Sequence, residues 1–185
     1  MTTKKLVLMS MMLALLILSS KLVIPLPLLD FISIQIVIVY MLYPILGKYH
    51  SFLTLFLYLL IGLVGLPVFA AGGGILYVLR PSFGYLLAFL ILPFIQDTIK
   101  KGLGKTSPTF TNVFMQNVIC LVFIYLLGLS YKTVILLVVY GRFELFQDIL
   151  LFSSLCDFII DLGLTIIISL LMIKLNSFQS KPEVG

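Results

Sequence analysis

The sequence predicts an all-α integral membrane protein: six transmembrane helices in a single membrane domain over residues 1–185, with both termini cytoplasmic. Three observations carry this. Of the 185 residues 62% are hydrophobic and only 10% charged; a soluble fold of this length has too little interior to hide such an excess, which must face lipid. The apolar residues fall in runs of about 18 or more with almost no charge, long enough as helix at about 1.5 Å per residue to cross roughly 30 Å of hydrocarbon. The basic residues sit singly or in pairs between those runs and form no stripe with interleaved aromatics. The net charge of +5 therefore concerns orientation in the membrane and not nucleic acid.

The spans are expected at 6–24, 31–46, 52–66, 83–98, 110–129 and 155–173. The first ends at Pro25-Leu-Pro27, because proline lacks the amide proton a helix needs, and a short loop leads to Asp30. Gly47-Lys-Tyr-His50 separates spans two and three as a tight polar break, with His50 in solvent. From Pro67 to Ser82 the run Gly72-Gly-Gly74 and the pair Arg80-Pro81 predict irregular or re-entrant backbone, which is tolerated at membrane depth only when buried in protein or lining a cavity. Lys100, Lys101 and Lys105 mark the exit of span four. The segment from Tyr131 to Phe152, with Lys132, Arg142, Glu144 and Asp148, is expected to lie in the interface or partly re-enter. Cys120 and Cys156 show no metal-like or CxxC spacing and are expected to be packing residues.

Span one has a competing reading as a secretory signal, with Lys4 and Lys5 at its basic end and Ser19-Ser20 near a cleavage site. Charge placement favours the span. With Lys4 inside, eight of the twelve basic residues fall on the cytoplasmic side and only Lys21, Arg80, Lys132 and Arg142 outside. The Pro25 to Asp30 loop, the Pro67 to Ser82 segment and the start of span six then share the external face, the geometry of capture from outside.

The stretch from Leu46 to Tyr58, continuing through Gly62-Leu-Val-Gly-Leu-Pro-Val-Phe69 to Gly72-Gly-Gly74 and Gly84-Tyr85, resembles the BioY family, the biotin-binding S components of energy-coupling-factor (ECF) importers. Phe31-Ile-Ser-Ile-Gln35 is similar to the family's pattern at the start of span two, and Asp157 looks like its span-six aspartate. The resemblance implies an S-component-like six-helix bundle with a pocket near the outer face. Its implied partners are biotin, a transmembrane coupling subunit and two ATPase subunits, within the bilayer of the cell membrane; no cofactor is implied. The sequence departs from the family pattern in two places. Ile160 stands where the family has a lysine, followed by a further acid, Asp161, and Ala70 and Ala71 replace a polar side chain beside the glycine-rich loop. The ligand stays open among biotin, a biotin precursor and another small carboxylate such as lipoate.

Each candidate residue has a functional and a structural reading. Asp157 and Asp161 share one helix face, and an ionised acid in lipid costs several kcal/mol, so they face protein or water. A carboxylate accepts two N–H bonds from a ureido ring, or it bonds neighbouring helix ends. Arg80 suits a ligand carboxylate through its planar fork or snorkels to water, with Arg142 as a weaker second candidate. Gly72, Gly73 and Gly74, flanked by Ala71, let the backbone approach a ligand or simply connect two helices. Phe69 and Tyr85 pack an apolar ring or one another's helices, and Gln35 reads a polar head group or bonds a neighbouring helix. Ser10 and Ala14 form a small-xxx-small pair on span one that docks a partner helix or packs within the bundle.

An intramembrane enzyme is a poor fit: there is one histidine, no HExxH or GxSxG motif, and both intramembrane acids lie on one helix. No P-loop is present, so any use of ATP comes from partners. A ligand-free scaffold would share the composition. What separates it from a binding subunit is an outward cavity that holds Gly72, Gly73, Gly74, Asp157 and Gln35 together; their dispersal would overturn the site assignment.

Overall fold

In a computed structural model the described residues are 2–25, 31–102, 109–139 and 154–179. Asp30, Lys105, Arg142, Glu144, Asp148 and Lys181 lie outside them.

The first helix, α1, runs Thr3–Lys21, and the chain then turns extended. Strand β1, Val23–Pro25, pairs antiparallel with β2, Phe31–Ser33, with Val23 opposite Ser33. What was expected as the first turn of span two is therefore strand, and the expected loop over 26–30 lies outside the described residues. Pairing satisfies the backbone polar groups that the two strands turn towards each other. Helix α2, Gln35–Leu46, has 12 residues, about 18 Å. Helix α3 follows at once over Lys48–Val64. Only Gly47, at φ 76°, separates the two helices, so His50 is a half-buried residue of the first turn of α3 and not a solvated loop residue.

Gly65 ends α3, and the segment to Ser82 is irregular as expected, holding one short 3-10 helix over Ile75–Leu79. Helix α4 spans Phe83–Gly102 and α5 spans Phe110–Val138. The expected end of span five at Leu129 is thus corrected: Tyr131 to Val138 continue the helix instead of lying in the interface. The sixth helix, α6, covers Ser154–Gln179. By length and composition α1, α4, α5 and α6 can each cross a membrane, while α2 and α3 are shorter apolar helices.

Leu16, Tyr40, Leu42, Leu92, Leu121 and Ile168 are fully buried and bring all helices but α3 into one core, which α3 joins through Leu55 and Tyr58. Polar ties cross the same interior. The Tyr40 hydroxyl donates to the Asn117 carbonyl at 3.1 Å, and the Asn117 amide donates to Ser169 at 3.0 Å. Cys120 is buried and Cys156 half-buried, both as free thiols. Outside, Leu6, Val7, Met11, Leu15 and Leu18 of α1 and Ile159, Ile166, Ile167 and Leu170 of α6 are exposed, the surface a lipid-facing helix needs. Ser10 and Ala14 lie on that exposed side of α1.

Helices α4 and α5 lock reciprocally. A side chain added at Gly84 would strike Tyr131, and one added at Gly128 would strike Tyr85. Each tyrosine occupies space that a glycine on the facing helix leaves open, so the Gly84-Tyr85 pair serves helix contact first.

Candidate functional site

Following the chain up and down the bundle, the ends of α1, α3 and α5 meet the starts of α2, α4 and α6 on one side. That loop end holds nearly every residue singled out from the sequence. They form two groups joined by an arc of rings.

The first group is built on the segment after α3. Phe69 and Gly72 exchange backbone hydrogen bonds of 2.9 and 3.2 Å, closing a tight turn around Ala70 and Ala71 that Gly72 permits at φ 114°. The Gly74 amide then donates to the Gly62 carbonyl at 2.7 Å, folding the glycine run back over the end of α3. Gly73 passes so close to the Leu66 carbonyl that any β-carbon would collide with it. Ser20 donates to the Val68 carbonyl at 2.5 Å, Tyr58 to the same oxygen at 3.2 Å, and the Lys21 ammonium to the Phe69 carbonyl at 2.5 Å. Gln35, 5% exposed, lies with Ser20 within hydrogen-bonding reach of the Tyr58 hydroxyl. Residues from α1 and α3 thus fix the carbonyls of this turn, with Gln35 of α2 beside Tyr58.

Phe69 points inward and is fully buried. Its ring lies 5.3 Å from Tyr58 and 4.5 Å from Tyr77, and the series continues through Phe83 to Tyr131 at 6.4 and 5.9 Å. The Tyr131 hydroxyl donates to the Val78 carbonyl at 2.5 Å, tying the 3-10 helix to α5. Arg80 is exposed with its guanidinium 5.3 Å from the Tyr77 ring, a cation–π contact on the rim of the arc.

The second group lies among α4, α5 and α6. Tyr85 meets Tyr125 edge-on at 5.5 Å, and Tyr125 meets Phe158 at 5.0 Å. The Tyr125 hydroxyl donates to the Asp161 carboxylate at 2.8 Å, which gives that acid a firm structural partner. Asp157, in the first turn of α6 and half-buried, shares this electrostatic neighbourhood. Lys132 of α5, expected in an external interfacial segment, is instead 2% exposed inside the bundle, its ammonium 3.4 Å from the Ser154 hydroxyl.

Sequence reasoning missed Lys132, Tyr125, Tyr131, Tyr58, Ser20 and Lys21. For Lys132 a signal was present, since it is the one charged residue in the 29-residue run of α5. The others depend on partners far away in the chain. Among the described residues no group of three or more His, Cys, Asp or Glu side chains could hold a metal ion.

Rings beside hydrogen-bond acceptors and an ammonium suit a ligand with an apolar ring, N–H donors and an acidic tail. The BioY family model matches residues 1–181. The chain is 40% identical over 139 residues to a probable biotin transporter BioY of Lysinibacillus sphaericus, a match spanning 73% of this chain and 67% of that protein. A probable biotin transporter BioY of Pyrococcus horikoshii is 35% identical over 98 residues, 52% of this chain and 55% of its own length. Among solved structures, the S-component for biotin from an ECF-type ABC transporter superposes with a TM-score of 0.71 at 25% identity, covering 98% of this chain and 96% of that one. With its family model matched almost end to end and the bundle of a solved S-component, this chain belongs to the BioY family.

Proposed function

We propose that this protein is the S component of an ECF-type importer and captures biotin at the outer face of the cell membrane. The observation that carries the reading is the likeness over 98% of the chain to the S-component for biotin. The chemistry of the loop end supports it. Biotin presents two ureido N–H donors, an apolar sulfur ring and a carboxylate tail. Asp157 is the acceptor for the ureido hydrogens, Tyr85 and the ring arc flank the apolar body, and the glycine run offers backbone amides. Gln35, behind Tyr58, positions the turn.

The protein is not an enzyme; its output is a bound vitamin presented for translocation. A transmembrane coupling subunit and two ATPase subunits supply the energy, with both termini cytoplasmic and the loop end outward. The exposed side of α1 carrying Ser10 and Ala14 is the docking face for the coupling subunit, where small side chains allow close helix approach.

The test is calorimetric titration of biotin into the detergent-purified protein, with lipoate as comparison because Ile160 alters the family's span-six pattern. Submicromolar biotin binding, weakened by Asp157→Asn roughly 10- to 100-fold as expected for one charge-assisted hydrogen bond, supports the reading. Lipoate binding without biotin binding would replace it with an S component for another carboxylate.

A further inference from the structure

The end of the bundle away from the glycine loop carries more positive charge than its acid can neutralise. Asp97 lies 2.9 Å from Lys48, the first residue of α3, and 2.9 Å from Lys101 in the last turn of α4. A third ammonium, that of Lys100, stands 5.7 Å from the ring of Tyr43, whose hydroxyl donates to the same carboxylate. Among the described residues the other acids, Asp157 and Asp161, lie near the start of α6 at the opposite end. Asp97 therefore takes up one of three charges and leaves two in excess. Lys100 and Lys101 are exposed, and an ammonium has three donors.

Next to these charges the seam between α3 and α4 turns apolar. Lys48, Phe52, Phe56 and Leu60 follow at four-residue spacing along one stripe of α3, and Ile91, Phe94 and Lys101 share a stripe of α4. Phe52 meets Phe94 edge-on at 5.3 Å and stacks on Phe56 at 6.1 Å, while Phe56, Leu60 and Ile91 stay exposed. Exposed Tyr49, with the Lys48 ammonium 4.8 Å from its ring, belongs at the headgroup level where tyrosines gather. A soluble anion would need only the charges. An anionic phospholipid needs the charges at that level and an apolar strip running from them into the hydrocarbon, and both are present. We infer that this cluster is a binding site for an anionic phospholipid, with Lys100 and Lys101 on its phosphate and an acyl chain along Phe52 and Phe56. Basic side chains where helices leave the bilayer recognise such headgroups. A lipid held there ties α3 to α4 alongside Asp97, whatever the protein binds at its loop end.

The experiment titrates phosphatidylglycerol or phosphatidylcholine of the same acyl chains into the full-length protein in detergent and reads bound lipid by native mass spectrometry. The wild type is expected to hold phosphatidylglycerol about tenfold more tightly or better, the scale of two charges near an anionic surface. The double variant Lys100→Gln with Lys101→Gln should lower this preference below about threefold. Lys4→Gln with Lys5→Gln, the same loss of charge at the same end on α1, should keep it. Asp97→Asn, which loosens the helices but leaves all three ammoniums, should keep or raise it. Equal wild-type affinity for the two lipids overturns the inference, and so does an equal loss in the α1 variant, which would make the effect one of diffuse charge. Thermal melts with glycerol 3-phosphate separate the headgroup from the lipid: protection as strong as that by phosphatidylglycerol would assign the cluster to a soluble phosphate instead. Should the double variant not fold, Lys100→Gln alone leaves both ion pairs in place and is expected to lower the preference about threefold; an unchanged ratio overturns the inference.

Discussion

The two ends of the bundle treat charge in opposite ways. At the end away from the glycine loop, Asp97 of α4 lies 2.9 Å from Lys48 of α3 and 2.9 Å from Lys101, and accepts from Tyr43 of α2 at 3.2 Å. Opposite charges meet there at a partly exposed surface, stapling three helices. At the loop end two charged groups lie deeper and are met by hydroxyls, Lys132 by that of Ser154 and Asp161 by the Tyr125 phenol. An ion pair at a wet rim has spent its charge on its partner and answers to salt. A buried charge is screened less by salt than one at a wet rim. The difference separates an end built to hold helices together from one equipped to hold a ligand.

Glycines sharpen the contrast and give the largest expected effect. At Gly73 a β-carbon would run into the Leu66 carbonyl, whereas at Gly102, the last residue of α4, an added β-carbon meets nothing within 4 Å. Gly73→Val forces the turn off the end of α3; it should cost about 3 kcal/mol, the upper range for overpacking, and abolish measurable biotin binding. Gly102→Ala should leave binding unchanged and stabilise the helix end by up to about 1 kcal/mol. Thermal melts and titration of the two variants check this, and equal behaviour would dissolve the distinction between the ends.

The ion pairs provide the next effect. Asp97→Asn removes the charge that Lys48 and Lys101 share. The expected outcome is a lower melting point whose deficit shrinks in high salt, because salt already screens the wild-type pairs, with biotin affinity within about twofold of wild type since the change lies at the far end. A loss of affinity comparable to that of Asp157→Asn would show the ends to be coupled.

Much of this division was legible in the sequence, and what was not has a common cause. Helices α1, α3, α4 and α6 announce themselves as apolar runs whose few charges lie mostly towards their ends, because lipid and core demand the same apolar side chains along most of their length. The glycine run after Pro67 marks irregular backbone by composition alone. Phe31–Ser33 hides as strand because its partner is Val23–Pro25, and no local pattern distinguishes an apolar strand from an apolar helix turn. The end of α5 was misplaced because a lysine in an apolar run signals the water boundary, yet burial against Ser154 makes Lys132 an interior residue. Gly84-Tyr85 is visible as a pair, but its reason, the reciprocal fit with Gly128 and Tyr131, exists only once two helices are packed. Long-range partners decide each of these cases.

The smallest effect is expected at Arg80, which the sequence offers as a carboxylate receiver on the strength of its position beside the glycine run. The residue is exposed, and its guanidinium sits over the outer side of Tyr77, whose other neighbours Phe69 and Phe83 are buried. Arg80→Ala therefore removes a rim contact worth about 0.5–1 kcal/mol at such sites and leaves the arc of rings in place. Biotin affinity should change by less than about threefold, because a solvent-screened cation contributes little to binding. If Arg80→Ala instead weakened biotin binding about tenfold or more, the scale of a charge-assisted bond, the ligand's carboxylate would lie at the rim. A cation at a wet rim would then serve the ligand as Lys48 and Lys101 serve Asp97, and the contrast between the two ends would rest on the rings and the turn alone.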